Sequence, residues 1–197
     1  MCLGRNYEAH AHEMKTEVPR IPVVFLKPST ALLGNGSSVV IPSFSRDVHH
    51  EVELVVMIAR GGKNIPRSQA YDHVGGYAVG LDMTMRDVQA EAKAKGLPWT
   101  VAKGFDTSAP VSPFVHREAV PDPHNLLMTL AVNGKIRQLA NTGSMLFRID
   151  HVIEYLSTVF TLEEGDLIFT GTPEGVGAVE TGDRMHAELE SVGTLDI

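Results

Sequence analysis

The segment Glu51-Val-Glu-Leu-Val-Val-Met-Ile58 constrains this chain more than any other. It is short, apolar and rich in valine, as a buried strand is, yet it carries two carboxylates two residues apart. Strand side chains alternate, so Glu51 and Glu53 emerge from one face. A second apolar run, Gly76-Tyr-Ala-Val-Gly-Leu-Asp82, ends on a third acid. Two anions held so close repel and lose solvation unless a proton or a cation lies between them. A hard divalent ion that prefers oxygen, Mg²⁺ or Mn²⁺, meets that need. Glu51, Glu53 and Asp82 would ligate it, leaving the other octahedral positions to water or substrate. The competing reading is ordinary: half-buried strands carry Glu on alternate positions because one face meets water.

A chain of 197 residues, 43% hydrophobic and 21% charged, is long enough for one packed domain, expected to span 1–197. Its net charge of −7 argues against nucleic acid, which demands a basic face. An acidic protein acting on an anionic substrate must supply positive charge locally, and a bound divalent ion does so. Cys2 is the only cysteine, so no intrachain disulfide forms, in keeping with a reducing compartment. No apolar run approaches the roughly 20 residues needed to cross a bilayer, so no membrane partner is expected. The first residues, Met-Cys-Leu-Gly-Arg-Asn-Tyr, lack the apolar core of a secretion signal. The cytoplasm is the expected compartment, with an organelle address ahead of this sequence left open.

Along the chain, Glu8–Met14 is compatible with a short helix, and Pro22–Pro28 reads as a strand closed by proline. Residues 31–42, with a Gly34-Asn-Gly36 turn, suggest a hairpin, and Ser68–Val74 a short helix. Thr84 with Asp87 matches a capping pattern before a helix over Arg86–Lys95, which Gly96 and Pro98 stop. Trp99–Phe105 reads as a strand carrying Lys103. An Asn133-Gly134 turn, an amphipathic helix over Ile149–Val159, a Leu167–Gly171 strand and a Gly182-Asp183 turn before the last strand complete the chain. Strands dominate and helices are few, which predicts an α+β fold.

Several polar residues stand out beside the three acids. Arg86 and Gln89 are neighbours on one helix surface and could grip a substrate carboxylate; equally, they could be a solvated face. Lys103 in an apolar segment is either an electrostatic partner of the acids or an ordinary surface lysine. His10 and Glu13 are three apart, and a carboxylate on one imidazole nitrogen raises the basicity of the other, giving a general base. Mobile N-terminal surface is the alternative. The loop Thr170-Gly-Thr-Pro-Glu-Gly-Val-Gly177 lacks a P-loop ending, so nucleotide binding is not expected. Its amides and the Thr172 hydroxyl could hold a small carboxylate, or its glycines could serve a hairpin turn alone.

Taken in order, these segments resemble the fumarylacetoacetate hydrolase family. The likeness runs through Gly4-Arg-Asn-Tyr7, His10-x-x-Glu13-Met14, Phe25-Leu-Lys-Pro28, His49-His-Glu-x-Glu53 and Leu81-Asp-x-Thr-x-Arg86-Asp-x-Gln89. It continues through Gly96-Leu-Pro-Trp99, Ala102-Lys103, Leu162-x-x-Gly-Asp166 and Phe169-Thr-Gly-Thr-Pro-x-Gly-Val-Gly177. The short, single-domain branch with acylpyruvate hydrolases and oxaloacetate decarboxylases is the most similar. Family members usually carry more residues before the Gly-Arg-Asn-Tyr segment.

The resemblance implies a mixed β-roll with a few short peripheral helices, commonly dimeric. It also implies Mg²⁺ (or Mn²⁺) on Glu51, Glu53 and Asp82, and water activation by His10 with Glu13. Lys103, Arg86, Gln89 and Thr172 fall on positions that contact substrate or polarise the active water. The expected partner is a small anionic keto acid, and the expected reaction is hydrolysis of the C–C bond of a 3-acylpyruvate such as acetylpyruvate or fumarylpyruvate. A pyruvate enolate would leave, its charge offset by the ion as a Lewis acid. Oxaloacetate decarboxylation and keto–enol tautomerisation or isomerisation of dioxo acids are the alternatives at the same site. A non-catalytic β-roll that only binds a small acid or dimerises is the reading outside enzymology.

Overall fold

A computed structural model describes residues 1–197. In chain order the first strands are β1 (Cys2–Gly4), β2 (Val23–Phe25), β3 (Leu32–Gly34), β4 (Val48–His50) and β5 (Val52–Ile58). Next come β6 (Val74–Leu81), β7 (Thr84–Met85), β8 (Ala109–Val111), β9 (Val115–His116), β10 (Leu127–Val132) and β11 (Lys135–Asn141). The last are β12 (Leu167–Phe169), β13 (Gly177–Val179), β14 (Met185–Leu189) and β15 (Gly193–Asp196). Four short helices sit outside them: α1 (Glu8–Glu13), α2 (Arg86–Ala94), α3 (Thr100–Lys103) and α4 (Ile149–Val159).

The strands form three sheets. The largest runs β2-β1-β12-β5-β6-β8-β3, with β9 beside β6. It is mixed: β1 lies parallel to β12 and β3 to β8, while the central β5–β6 pair is antiparallel. The order β11-β10-β14-β15 forms a second sheet and β13-β4-β7 a third. This is the α+β, mixed-sheet architecture that the residues and the resemblance predicted.

Strand β5 explains its own sequence. Leu54, Val56 and Ile58 belong to the main core, together with Val79, Leu81, Met128, Leu130, Ala187, Leu189 and the inner face of α4. Val55 points the other way, into a smaller cluster with Cys2, Ala78 and Phe169. A strand buried on both faces needs a nearly continuous apolar run, which is what lies between Glu53 and Ala59. Gly80 opposite it is a packing requirement, because a Cβ there would lie 2.6 Å from Val55 Cγ2 and 2.8 Å from Phe169 Cε1.

Four local expectations are corrected. Trp99–Phe105 is not a strand: Thr100–Lys103 make one helical turn, ended at Gly104. So short a segment carries no usable period, and its apolar residues fit either state. Residues 31–42 do not form a hairpin. Gly36 does adopt a turn with φ of 76°, but β3 pairs with the distant β8, and a non-local partner leaves no local mark. Thr84 does not cap α2. It sits in β7, and its hydroxyl donates to the Asp82 carbonyl, while Asp87 binds Ser45 and the Arg46 and Val88 amides. The turn at Gly182 leads into β14 rather than the last strand; a further turn at Ser191 precedes β15.

Candidate metal and active site

The site forms where two sheets part. β4 and β5 are almost continuous, but at Glu51 the chain leaves one sheet for the other. Asp82, just past β6, lies across from it, its amide donating to the Glu51 carbonyl at 2.8 Å. The β5–β6 register pairs Glu53 with Gly80. A ligand oxygen from each of Glu51, Glu53 and Asp82 therefore falls within 4.8 Å of the other two, all buried. The two glutamates converge across the sheet break, and the third acid joins them through the register.

Burying three acids demands compensation. Lys103, at the end of α3, donates to Glu51 Oε2 at 2.7 Å and to Asp82 Oδ2 at 2.6 Å. Arg86 pairs with the other oxygen of Glu51, and Lys27 lies 2.8 Å from Asp82 Oδ1. Lys103 is thus the buried partner of the acids, not a surface lysine. Burial works against its charge, but Asp82 and Glu51 outweigh that and hold its pKa above the ordinary lysine value. Burial likewise opposes ionisation of Glu51, yet Lys103, Arg86 and His10 hold its carboxyl below the usual range. Glu53 is pushed well above that range by burial and by the Asp82 and Glu51 charges.

The acids fit a divalent cation. Glu53 Oε1 is buried and receives no hydrogen bond, while Asp82 Oδ1 has only the Lys27 ammonium beside it at 2.8 Å. Glu53 Oε2 is held by the Gly171 amide at 2.7 Å, which fixes the carboxylate while its other oxygen stays unpartnered. Unpartnered buried carboxylate oxygens are costly, and converging hard oxygens suit Mg²⁺ or Mn²⁺. Gly171 has φ of 96°, and a Cβ there would meet Asn6 Cβ at 2.6 Å, so only glycine brings this amide so close.

His10 is buried in α1, and its Nδ1 lies 3.2 Å from Glu13 Oε2. The other Glu13 oxygen accepts from the Gly175 amide at 3.0 Å. The helix is therefore tied to the glycine loop and is not loose N-terminal surface. Asn6 anchors its approach by donating to the Phe147 and Thr170 carbonyls and accepting from the Phe147 amide. Burial lowers the His10 pKa below the ordinary histidine value, against the pull of Glu51 and Glu13. Near neutral pH the ring is uncharged, and Nδ1–H facing Glu13 leaves Nε2 with its lone pair free.

His10, Glu51, Arg86, Gln89, Lys103 and Thr172 line one pocket. Arg86 Nη1 donates to Gln89 Oε1 at 2.9 Å, leaving the Gln89 amide hydrogens free to act as donors. Glu13, Glu53 and Asp82 do not line this pocket, but each adjoins a residue that does: Glu13 contacts His10, Asp82 accepts from Lys103, and Glu53 lies in the acidic cluster with Glu51.

Two further residues hold the site together. Lys27 donates to the carbonyls of Met83 and Ser108 at 3.3 and 3.0 Å as well as facing Asp82. A lysine in the strand-like Phe25-Leu-Lys-Pro28 was the available signal. Gln138 left none: it is one polar residue in a largely exposed strand. Its Oε1 accepts from the Val52 amide at 3.1 Å and from His50 Nδ1 at 2.9 Å, while Nε2 donates to Thr172 Oγ1 at 2.8 Å. The Val52 amide can only donate, so the orientation of the Gln138 amide is settled. Thr172 uses a lone pair on Gln138 and keeps its own hydrogen to give.

The chain matches the model of the family described as fumarylacetoacetate (FAA) hydrolase C-terminal over residues 1–197. It is 54% identical over 195 residues to a rat protein named oxaloacetate tautomerase FAHD1, mitochondrial, covering 99% of this chain and 88% of that one. The Arabidopsis thaliana protein of the same name is 50% identical over 195 residues, covering 99% and 87%. Among solved structures, fumarylpyruvate hydrolase from Pseudomonas aeruginosa, in complex with Mn²⁺ and pyruvate, superposes with a TM-score of 0.94. Its identity is 44%, covering 99% of this chain and 86% of that chain. A 2-hydroxyhepta-2,4-diene-1,7-dioate isomerase from Mycobacterium marinum gives 39% identity and a TM-score of 0.87, covering 99% and 71%. The chain is a member of the fumarylacetoacetate hydrolase family.

Proposed function

We propose that this protein is a divalent-metal-dependent enzyme of small 2-oxo acids whose reaction is keto–enol tautomerisation of oxaloacetate. The observation that carries the reading is a neutral, carboxylate-oriented His10 sharing one pocket with Glu51, Lys103 and Arg86. Glu51, Glu53 and Asp82 would hold Mg²⁺ or Mn²⁺, which when bound supplies Lewis-acid polarisation of the substrate oxygens. Arg86, Gln89 and Thr172 bind the carboxylate next to the keto group. His10 takes the enol proton and returns it to C3, and Glu13 offsets the imidazolium charge formed in between. Lys103 stabilises negative charge on the keto oxygen. The name carried by relatives at 50–54% identity supports this choice among the family's reactions.

C–C hydrolysis of a 3-acylpyruvate is the second reading. It is favoured by the Pseudomonas aeruginosa relative, a fumarylpyruvate hydrolase. Decarboxylation of oxaloacetate would use the same residues with water excluded. We take 1–197 as one catalytic domain in a homodimer, since Leu127, Leu139 and Ile136 leave an exposed apolar face on the β10–β11 pair. The cytoplasm remains the proposed compartment, with the mitochondrion as the alternative that the relatives' names raise.

The test follows enol oxaloacetate by ultraviolet absorbance, with Mg²⁺ or Mn²⁺ and with chelator, alongside acetylpyruvate cleavage. Metal-dependent enol loss that His10→Ala abolishes is the expected result. Acetylpyruvate cleavage without enol turnover would transfer the assignment to hydrolysis. No turnover of either acid with metal supplied would overturn both.

A further inference from the structure

The site's inner cations are already matched by acids: Lys103 and Arg86 lie on Glu51, and Lys27 and Lys103 on Asp82. The pocket mouth is different. Arg5 and Lys93 both line it, and neither belongs to any ion pair or side-chain hydrogen bond. They come from separate parts of the chain, Arg5 following β1 and Lys93 on the last turn of α2. Each is held in place by something other than a counter-ion. Arg5 adopts φ of 60°, a left-handed conformation that non-glycine residues seldom take, between the β1 pairing and the Asn6 anchor. Lys93 has its ammonium 5.1 Å from the centre of the Trp99 ring, which also lines the pocket.

The geometry points to a receptor for a second carboxylate, formed by Arg5 and Lys93 at the mouth of the pocket. Its ligand is the distal acid group of a 2-oxo dicarboxylate whose 2-oxo acid end lies inside. The inference rests on the proposed 2-oxo acid reading and narrows it to dianions. Arg86, Gln89 and Thr172 suffice for one carboxylate, so a monoacid would leave the mouth cations solvated and unpaired. A dicarboxylate of four carbons or more can extend outward to meet them. Partial burial, together with Arg86, Arg5 and Lys103 nearby, lowers the Lys93 pKa, as expected where cations converge and an anion is wanted. Two unmatched cations lining the pocket also draw dianions in, an effect that added salt weakens.

The test compares oxaloacetate with acetylpyruvate on the Mn²⁺-loaded protein, in the wild type, Arg5→Asn and Lys93→Gln. Asparagine tolerates a left-handed backbone, and Lys93 is exposed on its helix, so both variants are designed to fold. The kcat/KM ratio of oxaloacetate to acetylpyruvate should fall about ten-fold in each variant, as for loss of one charge-assisted contact. Lys93→Arg should restore it. Calorimetric binding of oxaloacetate against pyruvate, which lacks the second carboxylate, should show the same loss of preference without requiring turnover. A ratio changed by less than three-fold in both assays overturns the receptor. If neither acid is turned over but the binding preference falls in the variants, the proposed reaction fails and the receptor stands.

Discussion

Gln138 offers the sharpest test of how the site is held. Leucine is close to glutamine in shape, so Gln138→Leu removes polarity with little change in packing. It leaves the Val52 amide, His50 Nδ1 and the Pro173 carbonyl without the partners they have at 3.1, 2.9 and 3.0 Å. Gln138 is 1% exposed, so water cannot easily replace it. An unsatisfied buried group costs about 1–3 kcal/mol, and three sum to roughly 3–6 kcal/mol after partial relaxation. Removing the buried amide and adding methyl groups returns about 1–2 kcal/mol. The net expectation is a loss near 3 kcal/mol. With a urea m-value of about 3 kcal/mol/M for a chain of this size, the unfolding midpoint should fall by about 1 M. Gln138→Glu keeps the acceptor but loses the donor to Thr172, and should mainly raise KM. A Gln138→Leu midpoint within about 0.3 M of wild type would refute the reasoning, because the network would then carry no net stability.

Three further predictions follow from other parts of the molecule. Glu53→Gln removes a ligand charge while keeping an acceptor for Gly171, and should weaken Mn²⁺ binding by more than about a hundred-fold in calorimetry; unchanged affinity would mean that the three acids share no ion. Gly80→Ala forces a Cβ to 2.6 Å from Val55 Cγ2 and should cost about 1–3 kcal/mol, read as a lowered Tm; an unchanged Tm would show that the sheet yields there. His124 Nε2 accepts from the Ile149 amide at the start of α4, and burial with Arg148 nearby lowers its pKa despite Asp122 and Asp150. Its contribution is complete above the unfolded value near 6.5 and is lost as pH falls below it, because the unfolded chain then binds the extra proton. The urea midpoint of wild type should therefore drop more between pH 7.5 and 5.5 than that of His124→Gln; parallel profiles would remove His124 from the acid sensitivity.

Legibility in the sequence followed the range of the interactions involved. The acidic triad could be read because its signal is local: Glu51 and Glu53 stand two apart, and Asp82 closes an apolar run. α4 was legible over Ile149–Val159 for the same reason, since eleven residues display a helical period. α3 was not, because four residues show no period, and its helical state matters only for aiming Lys103 at Glu51 and Asp82. Lys27 and Gln138 are a different case. Each looks like an unremarkable polar residue until the fold brings Asp82 or Thr172 against it across 55 and 34 positions.

Residue identity and spacing alone specify the chemistry on offer: three acids in or beside two apolar strands, a histidine–glutamate pair and a run of family motifs. Tertiary structure decided which side chains meet. The parting of two sheets at Glu51, the β5–β6 register and the burial of Lys103 set distances and charge balance. Those depend on pairings between remote segments, and hydrophobic pattern specifies only that a strand will pair, not with which partner.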